Sequence, residues 1–230
     1  MKRREYDDHT AHTYINANGD EVPSVTHILS MIKKKETLKW SNFLGFKHIS
    51  VEKFINHRAM IGTLLHKKIE CYYSGTAYDP HPSPGIEQEV NLLFNNFVEW
   101  DKMNNPNILA SEMQLIGLKY GGTLDLLCEM YDHKICLVDF KTSKSIHAAQ
   151  FMQLGGYLNL LKETKPEVYK KIDICQIVSI TQAKVNIKMK GIKDMKKYQR
   201  GFENSYILYN DYNTILEEDW DDSMRDVSIL

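Results

Sequence analysis

The sequence predicts an α/β fold, a central mixed sheet of about five strands flanked by helices, with an N-terminal helical layer. Three observations carry that expectation. Apolar residues recur at helical spacing as far as residue 103, as in Phe54, Ile61, Leu64, Leu65 and Ile69. Between residues 108 and 140 the pattern shortens to period two, in runs bounded by Gly121-Gly122 and Tyr131-Asp132-His133. A helical stretch, two short apolar runs and a last helical stretch follow.

The elements read in order as follows. Thr13 to Val22 suits a hairpin with Asn18-Gly19 at its turn. Ser24, after Pro23, caps a short helix expected to reach about Lys34. Helices then span Leu38 to His48 and Val51 to Tyr73, and Pro80, Pro82, Pro84 and Gly85 make the clearest break in the chain. A helix over Ile86 to Met103 presents Val90, Leu93, Phe94 and Phe97 on one side. Three antiparallel strands are expected at Ile108 to Ile116, Gly122 to Glu129 and Lys134 to Phe140. A helix from His147 to Glu163, strands at Ile174 to Thr181 and Lys184 to Met189, and a helix from Asp194 to Asn210 complete the set. Residues 1–212 therefore read as a single domain: 24–103 mostly helical, 107–190 the core, 194–212 a C-terminal helix, with 213–230 an acidic tail.

At 230 residues, 43% apolar and 26% charged, the chain has the composition of a globular domain able to bury a core. No apolar run approaches a membrane span, so no membrane partner is expected. The N-terminus, MKRREYDDHTAH, carries both signs of charge and no signal-peptide core, and the expected location is the cytoplasm of a bacterial or phage-infected cell. Cys71, Cys128, Cys136 and Cys175 show no CxxC spacing and read as reduced core thiols. A net charge of −1 does not advertise a nucleic-acid binder, but its distribution permits one. Between Glu203 and Leu230 eight acids and one base carry −7, which leaves +6 for residues 1–202. The acidic tail reads equally as a solvated segment with no function.

The chemistry is concentrated in a few residues. In Val138-Asp139-Phe140-Lys141 strand parity puts Asp139 and Lys141 on one face, where they could be no more than a surface ion pair. Asp125 lies inside a neighbouring apolar strand, where aspartate is depleted and costly to bury alone. Two carboxylates brought together by a short strand connection repel unless a cation lies between them, and magnesium accepts such a pair with phosphate oxygens. His66, on the long helix, reads alone as structural or exposed; Gln153 and Tyr157, at i and i+4, share a helix face.

The order Gly62-Thr63-x-x-His66, Gly121-Gly122-Thr123-x-Asp125, Val138-Asp139-x-Lys141-Thr142-Ser143 and Gln153-x-x-x-Tyr157 resembles RecB-type nucleases of the PD-(D/E)XK superfamily. Within it the likeness is to phage exonucleases and the mitochondrial genome-maintenance exonuclease, and a Pro-Ser-Val-Thr-x-Ile-Leu opening stands at Pro23 to Leu29. The resemblance spans roughly residues 22–160 and implies a restriction-endonuclease-like core. It implies metal ligation by His66, Asp125, Asp139 and the Phe140 carbonyl, with Asp125, Asp139 and Lys141 as the catalytic set. Gln153, Tyr157 and Thr142 would contact DNA or support the site, and Glu112 falls where many relatives carry an acid on the first strand. Some members bind an iron–sulfur cluster through one early cysteine and three late ones; with only Cys175 beyond residue 136, no cluster is expected here.

The implied activity is hydrolysis of DNA phosphodiester bonds with Mg2+ or Mn2+, most simply by an exonuclease on single strands or DNA ends in recombination, repair or replication. Helicase or recombinase partners would supply unwinding. An endonuclease on the same core, or a DNA-binding module that does not cut, are the alternatives. Lys33, Lys34, Lys35, Lys39, Lys47, Lys53 and Arg58, interleaved with Trp40, Phe43 and Phe46, suit single-stranded DNA, unless those rings are the core of an amphipathic helix pair.

Overall fold

The computed structural model describes residues 13–32, 35–130 and 132–218, with the side chains of 35–40 and 215–218 outside that description. A two-stranded hairpin, β1 (Thr13–Ile15) and β2 (Glu21–Pro23), leads into helices α1 (Val25–Ser30), α2 (Lys35–Phe46), α3 (Val51–Ser74) and α4 (Pro84–Asn104). Strands β3 (Asn107–Ile116), β4 (Gly121–Glu129) and β5 (Ile135–Lys141) follow, then α5 (Ala148–Thr164) and the single turn α6 (Pro166–Tyr169). β6 (Ile172–Ile180), β7 (Val185–Gly191) and α7 (Ile192–Glu218) end the described chain.

The five strands lie in the order β3-β4-β5-β6-β7. Hairpin-type connections make β3-β4-β5 and β6-β7 antiparallel, and the crossover through α5 and α6 makes β5-β6 parallel. The sheet is therefore mixed, as the sequence predicts. Its two faces bury different cores. Leu127, Leu137 and Ile177 pack against α1, α5 and α7, while Leu126, Val138 and Phe140 pack against α3 and α4. Both faces being covered, β4, β5 and β6 are nearly continuous apolar runs. The buried acids Asp125 and Asp139 stand out against that background.

Local chemistry sets the ends. Asn16 Oδ1 accepts from the amides of Asn18 and Asp20, closing the first hairpin, and Gly19 takes φ +85°. Ser24 Oγ accepts from the His27 amide and caps α1. Pro84 opens α4, and α3 ends on Gly75 at φ +69°.

The structure differs from expectation at several boundaries. α1 stops at Ser30, because only Val25 and Ile28 bury a face there. α2 starts at Lys35 rather than Leu38. α6 was not foreseen; Pro166 follows Lys165 directly and restarts a turn. α7 runs past Asn210 to Glu218, so part of the expected tail is helical; residues 219–230, including Trp220, lie outside the described residues. All four cysteines are free and buried. No described helix is long and apolar enough to cross a membrane.

α5 and α7 meet closely. A Cβ on Gly155 would lie 2.7 Å from the Tyr198 backbone, whereas one on Gly201 would meet only the Met152 side chain, at 3.4 Å. Gly155→Ala should therefore destabilise the domain by about 1–3 kcal/mol through overpacking. Gly201→Ala should stabilise it by roughly 0.5–1 kcal/mol, the helix-propensity gain. Urea midpoints of the two variants check the sign of each; equal shifts would mean that the helices do not meet this tightly.

Candidate metal centre and its cleft

The site forms where a ladder ends. Backbone pairing between β4 and β5 runs from Glu129↔Ile135 to Leu126↔Val138 and stops. The next rung would oppose Asp125 and Asp139. There the Phe140 amide donates to Asp125 Oδ2 at 2.7 Å, so a carboxylate takes the place of a strand carbonyl. The Phe140 ring is buried against Phe97 and Trp100, so its backbone is what it presents to the cleft.

On the other side of β4, Ser111 pairs with Leu126 and Met113 with Leu124, which sets Glu112 opposite Asp125. Glu112 takes φ +48°, a left-handed conformation that costs a side-chain-bearing residue roughly 1–3 kcal/mol. α3 brings His66 over the strand end, its Nδ1 3.4 Å from Asp125 Oδ1. His66, Glu112 and Asp125 each offer a ligand atom, and those atoms lie within 4.8 Å of one another. This trio could hold a metal ion. Asp139, fully buried, sits beside it with Lys141 Nζ 2.7 Å from both carboxylate oxygens. Its Oδ2 nonetheless accepts no well-directed hydrogen bond.

The electrostatics follow from burial and crowding. Burial favours neutral His66, but the Asp125 charge and hydrogen bond outweigh it and lift the imidazole to about 9. Glu112 is pushed up to about 7, first by burial and then by the Asp125 charge. Asp139 is raised by burial, an effect that the Lys141 charge offsets only in part and that Asp125 reinforces. Asp125 is lowered: burial alone would raise it, but His66, Lys141 and the Phe140 amide more than compensate. Burial works against the Lys141 charge too, and its two aspartate neighbours reverse the balance and raise it. Three carboxylates thus face one ammonium and one imidazole. Carboxyls held this far up, and a buried oxygen lacking a directed donor, fit a bound divalent cation.

The surrounding scaffold brings the remaining predicted residues to the same cleft, whose volume is about 920 Å³. Gln153 Nε2 donates to Tyr157 Oη at 2.9 Å, and Tyr157 is buried beside the aspartates. A Cβ at Gly122 would strike that ring at 2.6 Å, and one at Gly121 would strike Tyr14 at 2.5 Å, so the glycine pair admits both rings against β4. Tyr14 Oη and Thr123 Oγ1 lie 3.1 Å apart. Thr142 lines the cleft, 3.8 Å from where a Gly62 Cβ would stand.

Sequence reasoning missed a clamp. Arg58 donates to the Thr142 carbonyl at 2.7 Å and to Glu89 at 2.9 Å, and His57 Nε2 lies 3.0 Å from Glu89. These contacts tie α3 and α4 to the residue that follows Lys141. The only signal was a cationic residue two turns before His66, and no spacing rule links it to residue 142. On α2, Phe43 and Phe46 are 59% and 84% exposed, so these rings are not core; Leu44 is.

No family model matches the chain, and no curated protein matches it. Among solved structures, SSO0001 is similar at 17% identity and TM-score 0.32, over 66% of this chain and 74% of that one. The alkaline exonuclease LHK-Exo from Laribacter hongkongensis is similar at 10% identity and TM-score 0.31, over 68% and 84%. LHK-Exo in complex with dAMP gives 11% and 0.30, over the same shares. Likeness this slight fixes neither activity nor substrate.

Removing one member of the trio should be felt by a cation. Glu112→Gln and His66→Ala should each weaken Mn2+ binding on the order of ten-fold or more, as measured by calorimetry. Glu70→Gln, which also lines the cleft but is paired to Lys67, should leave it unchanged. Wild-type affinity in Glu112→Gln would return that strained glutamate to a structural role.

Proposed function

We propose that the protein is a metal-dependent DNA nuclease, an exonuclease acting on single strands or DNA ends. The observation that carries this reading is the convergence of the His66, Glu112 and Asp125 donors within 4.8 Å, beside the Asp139–Lys141 pair, at the wall of an open cleft. Those three side chains, with Asp139 and the Phe140 carbonyl, would hold the cation. Oxygen donors suit Mg2+, and the imidazole makes Mn2+ a good substitute. A bound cation would supply Lewis-acid polarisation of a phosphodiester and a more acidic water.

The protein's own groups do the rest. Lys141 keeps its ammonium on the carboxylate face, within reach of a phosphate oxygen or an attacking water, while Asp139 fixes its direction. Arg58 holds the strand end through Thr142. Tyr157 and Gln153 line the cleft beside the aspartates, and Tyr157 stays a neutral phenol because burial and the adjacent aspartates raise it well above its ordinary range. The exposed Phe43 and Phe46, on the helix before α3, support a stacking role toward unpaired bases. Residues 1–212 serve as the nuclease domain in this reading, with α7 continuing through Glu218. The products would carry 5′-phosphate and 3′-hydroxyl ends.

Digestion of end-labelled single- and double-stranded oligonucleotides, and of closed plasmid circles, in Mg2+, Mn2+ and EDTA tests the reading. Shortening of linear DNA with metal, and intact circles, is the expected result; nicked circles would make it an endonuclease, and no cleavage in any metal would overturn it. Asp125→Asn should abolish cleavage, since an amide cannot replace a carboxylate's charge at the cation. Lys141→Ala should lose turnover by roughly a hundred-fold or more while metal binding survives. Removing that ammonium strands a buried carboxylate, so the folded fraction is checked by circular dichroism. Wild-type cleavage by folded Lys141→Ala would defeat the mechanism.

A further inference from the structure

The surplus positive charge of the domain has a definite address. From Lys184 to Arg200 the chain holds seven basic residues and one acid, Asp194. That net +6 equals the whole charge of residues 1–202. The segment is β7 and the first turns of α7. Apart from Lys190, which is half-buried, its basic side chains are exposed, and none makes an ion pair among the described residues.

A merely solvated helix face would gain by alternating charge at i and i+4. α7 does the reverse: Lys193 with Lys197 and Lys196 with Arg200 are like-charged pairs at that spacing, each mildly destabilising. Two of the ammoniums are also held in place by rings. Lys190 Nζ sits 5.0 Å from the Phe151 centroid and 5.3 Å from that of Tyr198, and Lys197 Nζ sits 5.4 Å from Tyr198.

The sheet register joins this charge to the cleft. Asp139 pairs with Ile177, and Ile177 with Lys188, so Lys188 is on the rung of Asp139 and on the same face. Two strand spacings separate them, about 10 Å. Lys188 Nζ also lies 3.5 Å from the Ile146 carbonyl, in the short loop that begins at Thr142 on the cleft wall.

We propose that Lys188, Lys190, Lys193 and Lys197 form a track for the phosphodiester backbone of the DNA strand beyond the scissile phosphate. The track rests on the nuclease reading above. Cations that pair with no acid among the described residues, two of them seated on rings, next to a cleft assigned to phosphate chemistry, match a polyanion in charge, and the strip starts where a strand leaving the Asp139 rung would pass. It binds the strand and contributes nothing to bond cleavage, so it governs affinity and salt dependence for long substrates only.

The test compares Lys188→Ala/Lys193→Ala/Lys197→Ala with a control, Lys162→Ala/Lys170→Ala/Lys171→Ala. The control lysines are exposed; Lys170 and Lys171 directly precede β6, at the end of that strand remote from the Asp139 rung, and Lys162 lies in the last turn of α5. Anisotropy of a long labelled DNA oligonucleotide in EDTA, between about 50 and 200 mM salt, gives affinity and salt slope. The track variant should lose about 2–3 from the slope of log K against log salt, and on the order of ten-fold in affinity. Its hydrolysis of thymidine 5′-p-nitrophenyl phosphate, which carries no phosphate beyond the scissile one, should stay at the wild-type rate. The control should bind as wild type does. A track variant with wild-type slope and affinity would overturn the proposal while leaving the nuclease reading intact, and would point the strip toward an acidic protein. Equal losses in both variants would reduce the effect to overall charge and overturn it too. A wild type that neither binds nor cuts DNA would remove the nuclease reading and the track together.

Discussion

Three carboxylates, Glu112, Asp125 and Asp139, converge on one ammonium and one imidazole at the point where β4 and β5 stop pairing. A buried carboxylate short of partners costs several kcal/mol, and here the shortage is built into the ladder itself. Asp125 spends one oxygen on a backbone amide and the other on His66, leaving Asp139 to Lys141 alone. Glu112 accepts a left-handed backbone to stand opposite Asp125. Strain and crowding of this kind survive only when the surroundings over-determine them. Those surroundings are two aromatic and aliphatic cores, one on each face of the sheet, which fix the strands whatever the acids would prefer.

Much of this is legible in the sequence, and the reason is geometric. Asp139 and Lys141 share a face because strand parity is two, and Asp125 stood out because an apolar run of that kind has no use for an acid. Glu112 was harder. Its neighbours Ala110, Ser111 and Met113 form an ordinary strand edge, and only the β3–β4 register reveals that it faces Asp125. The Arg58 clamp was illegible, since it joins α3 to residue 142 through tertiary packing rather than spacing. The rings of α2 misled in part: a period suited to a buried face belongs to a helix that buries Leu44 and exposes Phe43 and Phe46. The end of α7 lies beyond the expected Asn210 because the helix continues through Asp211 into the first acids of the tail, Glu217 and Glu218, which the charge pattern assigns to a separate segment.

Net charge hid more than it told. A total of −1 averages a basic segment, Lys184 to Arg200, against an acidic C-terminal stretch, and electrostatic recognition depends on local fields that fall off within about 10 Å at moderate salt. The composition of the whole chain is therefore silent on a polyanion partner, whereas the sheet places one lysine on the rung of Asp139.

The two walls of the cleft are built to different standards, and that difference bears on what each can do. One wall is glycine against ring: Gly121 under Tyr14 and Gly122 under Tyr157, with contacts too close for any other residue. Such a wall leaves no room for a larger residue at either glycine, and in the nuclease reading it would keep β4 and its Asp125 in place. The other wall belongs to α3, anchored at Arg58 and His66 but leading back to α2, whose exposed rings pack on little else. In the nuclease reading, the strand wall would place the phosphate and the exposed α2 rings would meet the bases attached to it.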